Sequence, residues 1–154
     1  MSELRRANLL GAAFAYDDTD PAGYRSGMAH FDKALAVKAY EVPPHQSVCP
    51  YHYEYEEEWL LVLEGVVLVR TPAGEQELTA DEVACFAPGP SGAHKVTNRA
   101  EQAAKIVMFS SAREPAVTVY PDSDKIGVWP GNDEDQVMLR REDGQVGYYD
   151  GQVA

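Results

Sequence analysis

Apolar positions along the chain recur in short runs. "AVKAYEV" (Ala36–Val42) alternates moderately and stops at Pro43 and Pro44. "EWLLVLEG" and "VVLVRT" follow, with only Glu64 and Gly65 as a turn between them. Then come "EQEL", "EVACF", "KVTN", "KIVMFS" and "AVTVY", with Pro, Gly, Asn and Asp at their boundaries. Runs of this kind, rich in Val and aromatic side chains, predict strands. No long segment has the 3.6-residue period of an amphipathic helix. Many short strands at this spacing predict an all-β sandwich or barrel.

One run departs from simple alternation. In "EWLLVLEGVVLVR", Trp59, Leu61 and Leu63 point one way and Leu60 and Val62 the other, so both faces are apolar. A strand with one wet face would alternate cleanly. The inner face is expected to meet the core, and the outer face a terminal segment or a second subunit. A homodimer is the favoured expectation. After Ser111 the pattern loosens into Pro-flanked turns and an acidic loop (Asn132 to Asp135). Two candidate strands lie near Val137–Arg141 and Val146–Tyr149. The chain is divided accordingly: residues 1–35 as a lead-in packing on the barrel, 36–111 as the core barrel, and 112–154 as an extension wrapping it.

Charge narrows the partners. The 154 residues carry a formal charge of -12, which argues against a nucleic-acid backbone as partner. No apolar run approaches the roughly 20 residues that span a bilayer, so no membrane partner is expected. The opening "MSELRRANLLGAAFAYDD" has an apolar patch interrupted by Asn8 and Gly11, and is read as mature sequence. Two cysteines, Cys49 and Cys85, make no disulfide framework, and a cytoplasmic setting with free thiols is expected. Cys85, in "VACF", is expected to be buried and structural.

The candidate chemistry lies in "CPYHYEYEEEWLLVLEG". His52 and Glu54 share a strand face, and Glu58 has the same parity across an intervening bend. "PGPSGAHKVTN" delivers His94 from another strand after a Pro-Gly turn. Two imidazoles and two carboxylates are a donor set for a divalent transition metal: Zn, Mn, Fe or Ni. The carboxylates would offset the dication's charge in a low-dielectric interior. Tyr51, Tyr53 and Tyr55 have the opposite parity and are expected to pack outside, and Glu56 and Glu57 to be solvated.

These residues resemble the paired motifs of the cupins. The first motif, His-x-His, a few residues, Glu, six residues, Gly, is matched by His52, Glu54, Glu58 and Gly65. The second is matched by "ADEVACFAPGPSGAHKVTN", with Asp81, Pro88, Gly89, His94 and Asn98. The likeness covers residues 36 to 128 and is to small single-domain bacterial cupins. It implies a double-stranded β-helix, a jelly-roll barrel with a metal in its interior, held by His52, Glu58 and His94. Glu54 stands where the second motif histidine would be, and Ala80 replaces the glycine before Asp81. Glu54 is thereby a fourth ligand, a general base, or the mark of a site that has lost its metal. Asn98 is expected to hold a turn by side-chain hydrogen bonds.

Two functions follow. One is a metal-dependent isomerase, lyase or dioxygenase acting on a sugar, sugar phosphate, or keto or hydroxy acid, with His52, Glu54, Glu58 and His94 as metal residues and Glu54 as the catalytic group. The other is a non-catalytic module or sensor that binds a small molecule, with or without metal. Phe86 and Met108 are expected in the core, and His30 and His45 outside the site. Tyr120 and Trp129 are expected to anchor the tail on the barrel, with shaping of the pocket as the alternative.

Overall fold

The computed structural model describes residues 8–32 and 35–152. Along them run the strands β1 (Gly27–Asp32), β2 (Leu35–Val42), β3 (Tyr53–Glu54), β4 (Glu58–Glu64), β5 (Val66–Thr71) and β6 (Gly74–Thr79). They continue as β7 (Val83–Phe86), β8 (Lys95–Thr97), β9 (Ala104–Ser111), β10 (Ala116–Tyr120), β11 (Lys125–Trp129) and β12 (Val137–Arg140). The remaining helical turns are three-residue 3-10 pieces, and no helix of the described residues is long and apolar enough to cross a membrane. The strands form three antiparallel sheets, ordered β1-β2-β9-β4-β7, β12-β11-β10-β3 and β6-β5-β8. The architecture is an all-β double-stranded β-helix.

The core forms where the first and third of these sheets face each other. Val42, Leu60, Val62, Phe86, Ile106 and Met108 point inward from the five-stranded sheet. Val67, Val69 and Val96 meet them from the three-stranded sheet. Leu60 and Val62 are fully buried, while Trp59, Leu61 and Leu63 on the other face are half-buried. On that outer face Trp59 stacks on Phe109, with ring centroids 6.3 Å apart. The N-terminal segment supplies part of the cover, since Lys105 Nζ donates to the Leu10 carbonyl at 3.2 Å.

Glu64 and Gly65 do not close a hairpin. β4 belongs to the five-stranded sheet and β5 to the three-stranded one, so the turn moves the chain between layers. Gly65 makes this possible with φ of 82° and by lying against Ala104, where a Cβ would come within 3.1 Å of backbone.

Three sequence expectations change. Val146–Tyr149 forms no strand; β12 is the outer strand of its sheet, and the described residues after it are exposed. β11 was not foreseen because Gly127 and Lys125 dilute its apolar pattern, yet it pairs with both β10 and β12. Cys85 is exposed, not buried. On the edge strand β7, Phe86 takes the inward position and its neighbour Cys85 must therefore face out, opposite Trp59.

Asn98 ties the corner below the core and has no exposed surface. Its Nδ2 donates to the carbonyls of Val42 at 2.8 Å and Gln102 at 2.7 Å. Its Oδ1 accepts from the Ala100 amide at 2.8 Å. Asn98→Ala would leave buried carbonyls unpaired and is expected to cost roughly 2–4 kcal/mol in urea unfolding. A loss under about 0.5 kcal/mol, the scatter of neutral surface changes, would show that the corner holds without it.

Candidate metal centre

Two histidines are locked together by the backbone. His52 and His94 form an isolated antiparallel bridge, with His94 N donating to His52 O at 2.8 Å and His52 N to His94 O at 3.1 Å. Residues paired in this way project their side chains to one side of the sheet. The two rings lie 4.7 Å apart between centroids. Phe86 stacks on His94 at 3.7 Å with planes 8° apart, and Tyr120 lies over His52 at 5.9 Å. Each imidazole is thus held in orientation by an aromatic neighbour.

The ring nitrogens are oriented as well. His52 Nδ1 lies 3.0 Å from the Pro50 carbonyl, and His94 Nδ1 lies 2.9 Å from the Gly92 carbonyl. A carbonyl oxygen only accepts, so each Nδ1 carries a proton. In the neutral rings both Nε2 atoms are then bare acceptors. They face Glu58 Oε2, at 4.0 Å from His52 and 3.3 Å from His94. Glu58 Oε2 and His94 Nε2 are buried and have no hydrogen-bond partner. Three ligand atoms, one each from His52, Glu58 and His94, lie within 4.8 Å of one another. The set matches a cation: two bare imidazole nitrogens and a carboxylate, each in need of a positive partner.

Glu54 enters the same cavity but does not join that group. Its carboxylate is drawn aside by Thr118, whose Oγ1 donates at 3.2 Å from β10. Burial raises its affinity for a proton, and the nearby Glu58 charge adds to this, so its pKa lies above the ordinary carboxylate value. Burial pushes Glu58 the same way, but His94, His52 and Lys38 outweigh it and hold Glu58 below that value. Burial, then His94, lowers His52.

The cavity is about 440 Å³ and opens between two sheets. Lys38, Tyr40, Glu58 and Met108 come from the five-stranded sheet; Glu54, Thr118, Tyr120 and Trp129 come from the four-stranded one. Tyr120 and Trp129 therefore form part of the cavity wall as well as anchoring the extension. Glu56 is not simply solvated: it lines the cavity, accepts a hydrogen bond from Ser111 Oγ, and lies 3.8 Å from Arg113 Nε. Glu57 is exposed and accepts from Trp59 Nε1 at 2.8 Å. Tyr51 and Tyr53 pack with Ala93 and Val119 in a second core, while Tyr55 is exposed. His45 pairs with Glu101 at 3.3 Å in the open, and His30 is exposed on β1.

Sequence reasoning passed over Lys38, Tyr40 and Cys49, all of which line the cavity. Their signal was parity: Lys38 and Tyr40 share the inward face of β2 with buried Val42. Burial, then Glu58 and Glu54, pushes the Cys49 thiol up, so it stays protonated, and its Sγ lies 3.5 Å from His52 Nδ1. Burial, then Cys49, raises Tyr40, and Tyr120 is pushed up to about 12, so both phenols keep their protons at neutral pH.

These shifts fix the response of the metal-free protein to pH. The unfolded chain binds a proton at His52 near 6.5 and the folded chain only below that, so stability falls as pH drops under 6.5. Glu58 adds to the loss below 4.5, as pH falls toward its depressed folded value. Glu54 has the opposite sign: its raised folded pKa makes its charge a cost that persists above that value and vanishes below 4.5. Glu54→Gln is therefore expected to raise the melting temperature of metal-free protein at pH 7.5, with the gain closing below pH 4.5. An unchanged or lowered melting temperature at pH 7.5 would contradict this electrostatic reading.

Similar folds are known. A candidate sugar phosphate isomerase from Acidithiobacillus ferrooxidans superposes with a TM-score of 0.77 at 15% identity, covering 90% of this chain and 92% of its own. A sugar phosphate isomerase from a cupin superfamily, from Silicibacter pomeroyi, gives 0.76 at 17% identity, covering 93% and 97%. A predicted oxalate decarboxylase from Thermotoga maritima gives 0.58 at 18% identity, covering 68% and 96%. At these identities the likeness is one of fold. No curated protein matches the chain. Residues 39–110 match the family model described as a cupin domain, and that segment forms the centre of this barrel.

Proposed function

We propose that this protein holds a divalent transition metal, Zn, Mn, Fe or Ni, through His52, Glu58 and His94, and is an enzyme acting on a small polar metabolite. The observation that carries this reading is the buried, unpartnered pair of Glu58 Oε2 and His94 Nε2 at 3.3 Å. Two acceptors buried face to face are costly without a cation or proton between them. A dication there would polarise a carbonyl or hydroxyl oxygen of the substrate.

The surrounding side chains suit proton movement at a carbon next to that oxygen. Glu54 lines the cavity outside the three-ligand group, and its raised pKa suits a general base. The phenols of Tyr40 and Tyr120 line the cavity as hydrogen-bond donors. Isomerase or lyase chemistry on a sugar, sugar phosphate, or keto or hydroxy acid fits this set. The names of two neighbours of similar fold support isomerisation. A dioxygenase with Fe in the site would use the same three ligands.

Elemental analysis is the first test. Wild-type protein is expected to retain about one metal ion per chain after loading and dialysis, and His94→Ala and Glu58→Ala to lose it. Wild type that stays metal-free after exposure to Zn, Mn, Fe and Ni would overturn the reading. Glu54→Gln is expected to keep the metal but lose turnover in a panel of sugars, sugar phosphates and keto acids. A metal-loaded wild type silent across that panel would favour a non-catalytic binding module.

We also infer that the outer face of the five-stranded sheet pairs with a second copy of the chain. Trp59, Leu61 and Phe109 form one cross-strand apolar patch there, extended by exposed Val83. Light scattering at micromolar concentration is expected to give a dimer, and Leu61→Glu a monomer. A monomeric wild type would defeat this inference.

A further inference from the structure

Lys38 is an ammonium built into the inner wall of a barrel. It sits in mid-strand on β2, between inward-facing Ala36 and Tyr40 and opposite Met108 on β9. A half-buried lysine here gives up packing that an apolar side chain would provide. Its charge acts on both Glu54 and Glu58, yet among the described residues it makes no ion pair within 4.0 Å. Arg113, the other cation lining the cavity, is at the rim 3.8 Å from Glu56. Lys38 is the inner cation left for a ligand.

The formal charges around it define that ligand. With the proposed dication in place, ionised Glu54 and Glu58 cancel it, and Lys38 leaves one positive charge. The Glu56–Arg113 pair at the rim cancels internally. The formal charge of the chain is -12, so an anion is drawn to the cavity only by this local excess. A cavity of about 440 Å³ suits a small molecule. Protonated Tyr40 and Tyr120, with the Ser110 hydroxyl, offer hydrogen bonds to hydroxyl or carbonyl oxygens.

From the placement of Lys38 we infer that the substrate is a small monoanionic hydroxy or keto acid, its carboxylate held by the Lys38 ammonium. This rests on the metal reading above and narrows it. A neutral sugar leaves the ammonium unpaired. A dianionic phosphate exceeds the available positive charge, and the inner wall offers no guanidinium fork for it.

The test is calorimetry of the full-length protein loaded with Mn or Zn, titrated with glycolate, lactate and pyruvate, and in parallel with glucose 6-phosphate and glucose. At least one monocarboxylate is expected to bind tenfold or more tightly than either sugar compound. Lys38→Met and Lys38→Gln are expected to weaken that binding roughly ten- to a hundredfold with metal content unchanged, and Lys38→Arg to keep most of it. Two variants guard against one failing to fold, which circular dichroism monitors. Unchanged monocarboxylate affinity in either folded variant would overturn the inference while the metal reading stands. So would equal binding of glucose 6-phosphate, or no monocarboxylate binding by loaded wild type. A wild type that takes up no metal overturns both readings, because the positive excess then disappears.

Discussion

A carboxylate oxygen and two imidazole nitrogens meet inside this barrel, 3.3 and 4.0 Å apart. Everything else in the site is arranged around that contact. The Pro50 and Gly92 carbonyls fix the protons on the far side of each ring. The backbone bridge between His52 and His94 fixes their separation, and Phe86 and Tyr120 fix their planes. Such a cluster is unfavourable without a cation or proton between its members, because desolvated acceptors repel one another. The apolar core lies beside it, from Val42 through Leu60 to Ile106.

The sheet arrangement explains how ligands far apart in sequence converge. His52 comes just before β3 in the four-stranded sheet, whereas Glu58 opens β4 in the five-stranded one. The bend over residues 55–57 carries the chain from one wall of the cavity to the other. That bend brings Glu58 across to face His52 and His94. The extension contributes equally: β10 pairs with β3, placing Thr118 opposite Glu54. Without β10 the two-residue strand that carries Glu54 would lack its partner in the sheet, so the extension helps build the cavity wall.

Much of this was legible in the sequence. Short Val-rich runs between turn formers announced the all-β barrel, and the inward burial of Leu60 and Val62 follows from their parity. His52, Glu58 and His94 stood at motif positions and the structure brings them together. Parity told less about the acids. It grouped Glu54 with His52 on one face, but not with the hydroxyl 64 residues away that donates to its carboxylate. It also left Glu56 to solvent, where Ser111 in fact captures it. Lys38 was passed over because one lysine in an alternating strand looks like an exposed position; only the burial of Val42 in the same register turns it inward. The two glutamates depend on neighbours distant in sequence, and local pattern carries no record of such neighbours.

Glu54 and Lys38 gain meaning when taken as a pair. The motif places a neutral imidazole where Glu54 stands, so the glutamate adds one negative charge to the cavity. Lys38, on the opposite wall, adds one positive charge. The sum is that of a site with three imidazoles and one carboxylate, but the charge is distributed differently. In the motif pattern all the positive excess resides on the metal. Here a dication near Glu54 and Glu58 would be formally neutralised, and the excess would reside on an ammonium. A neutralised metal is a weaker electrophile, while an ammonium is a selective partner for a carboxylate. On the proposed reading the exchange would trade electrophilic strength for recognition, with Glu54 and Lys38 on opposite walls of one small cavity.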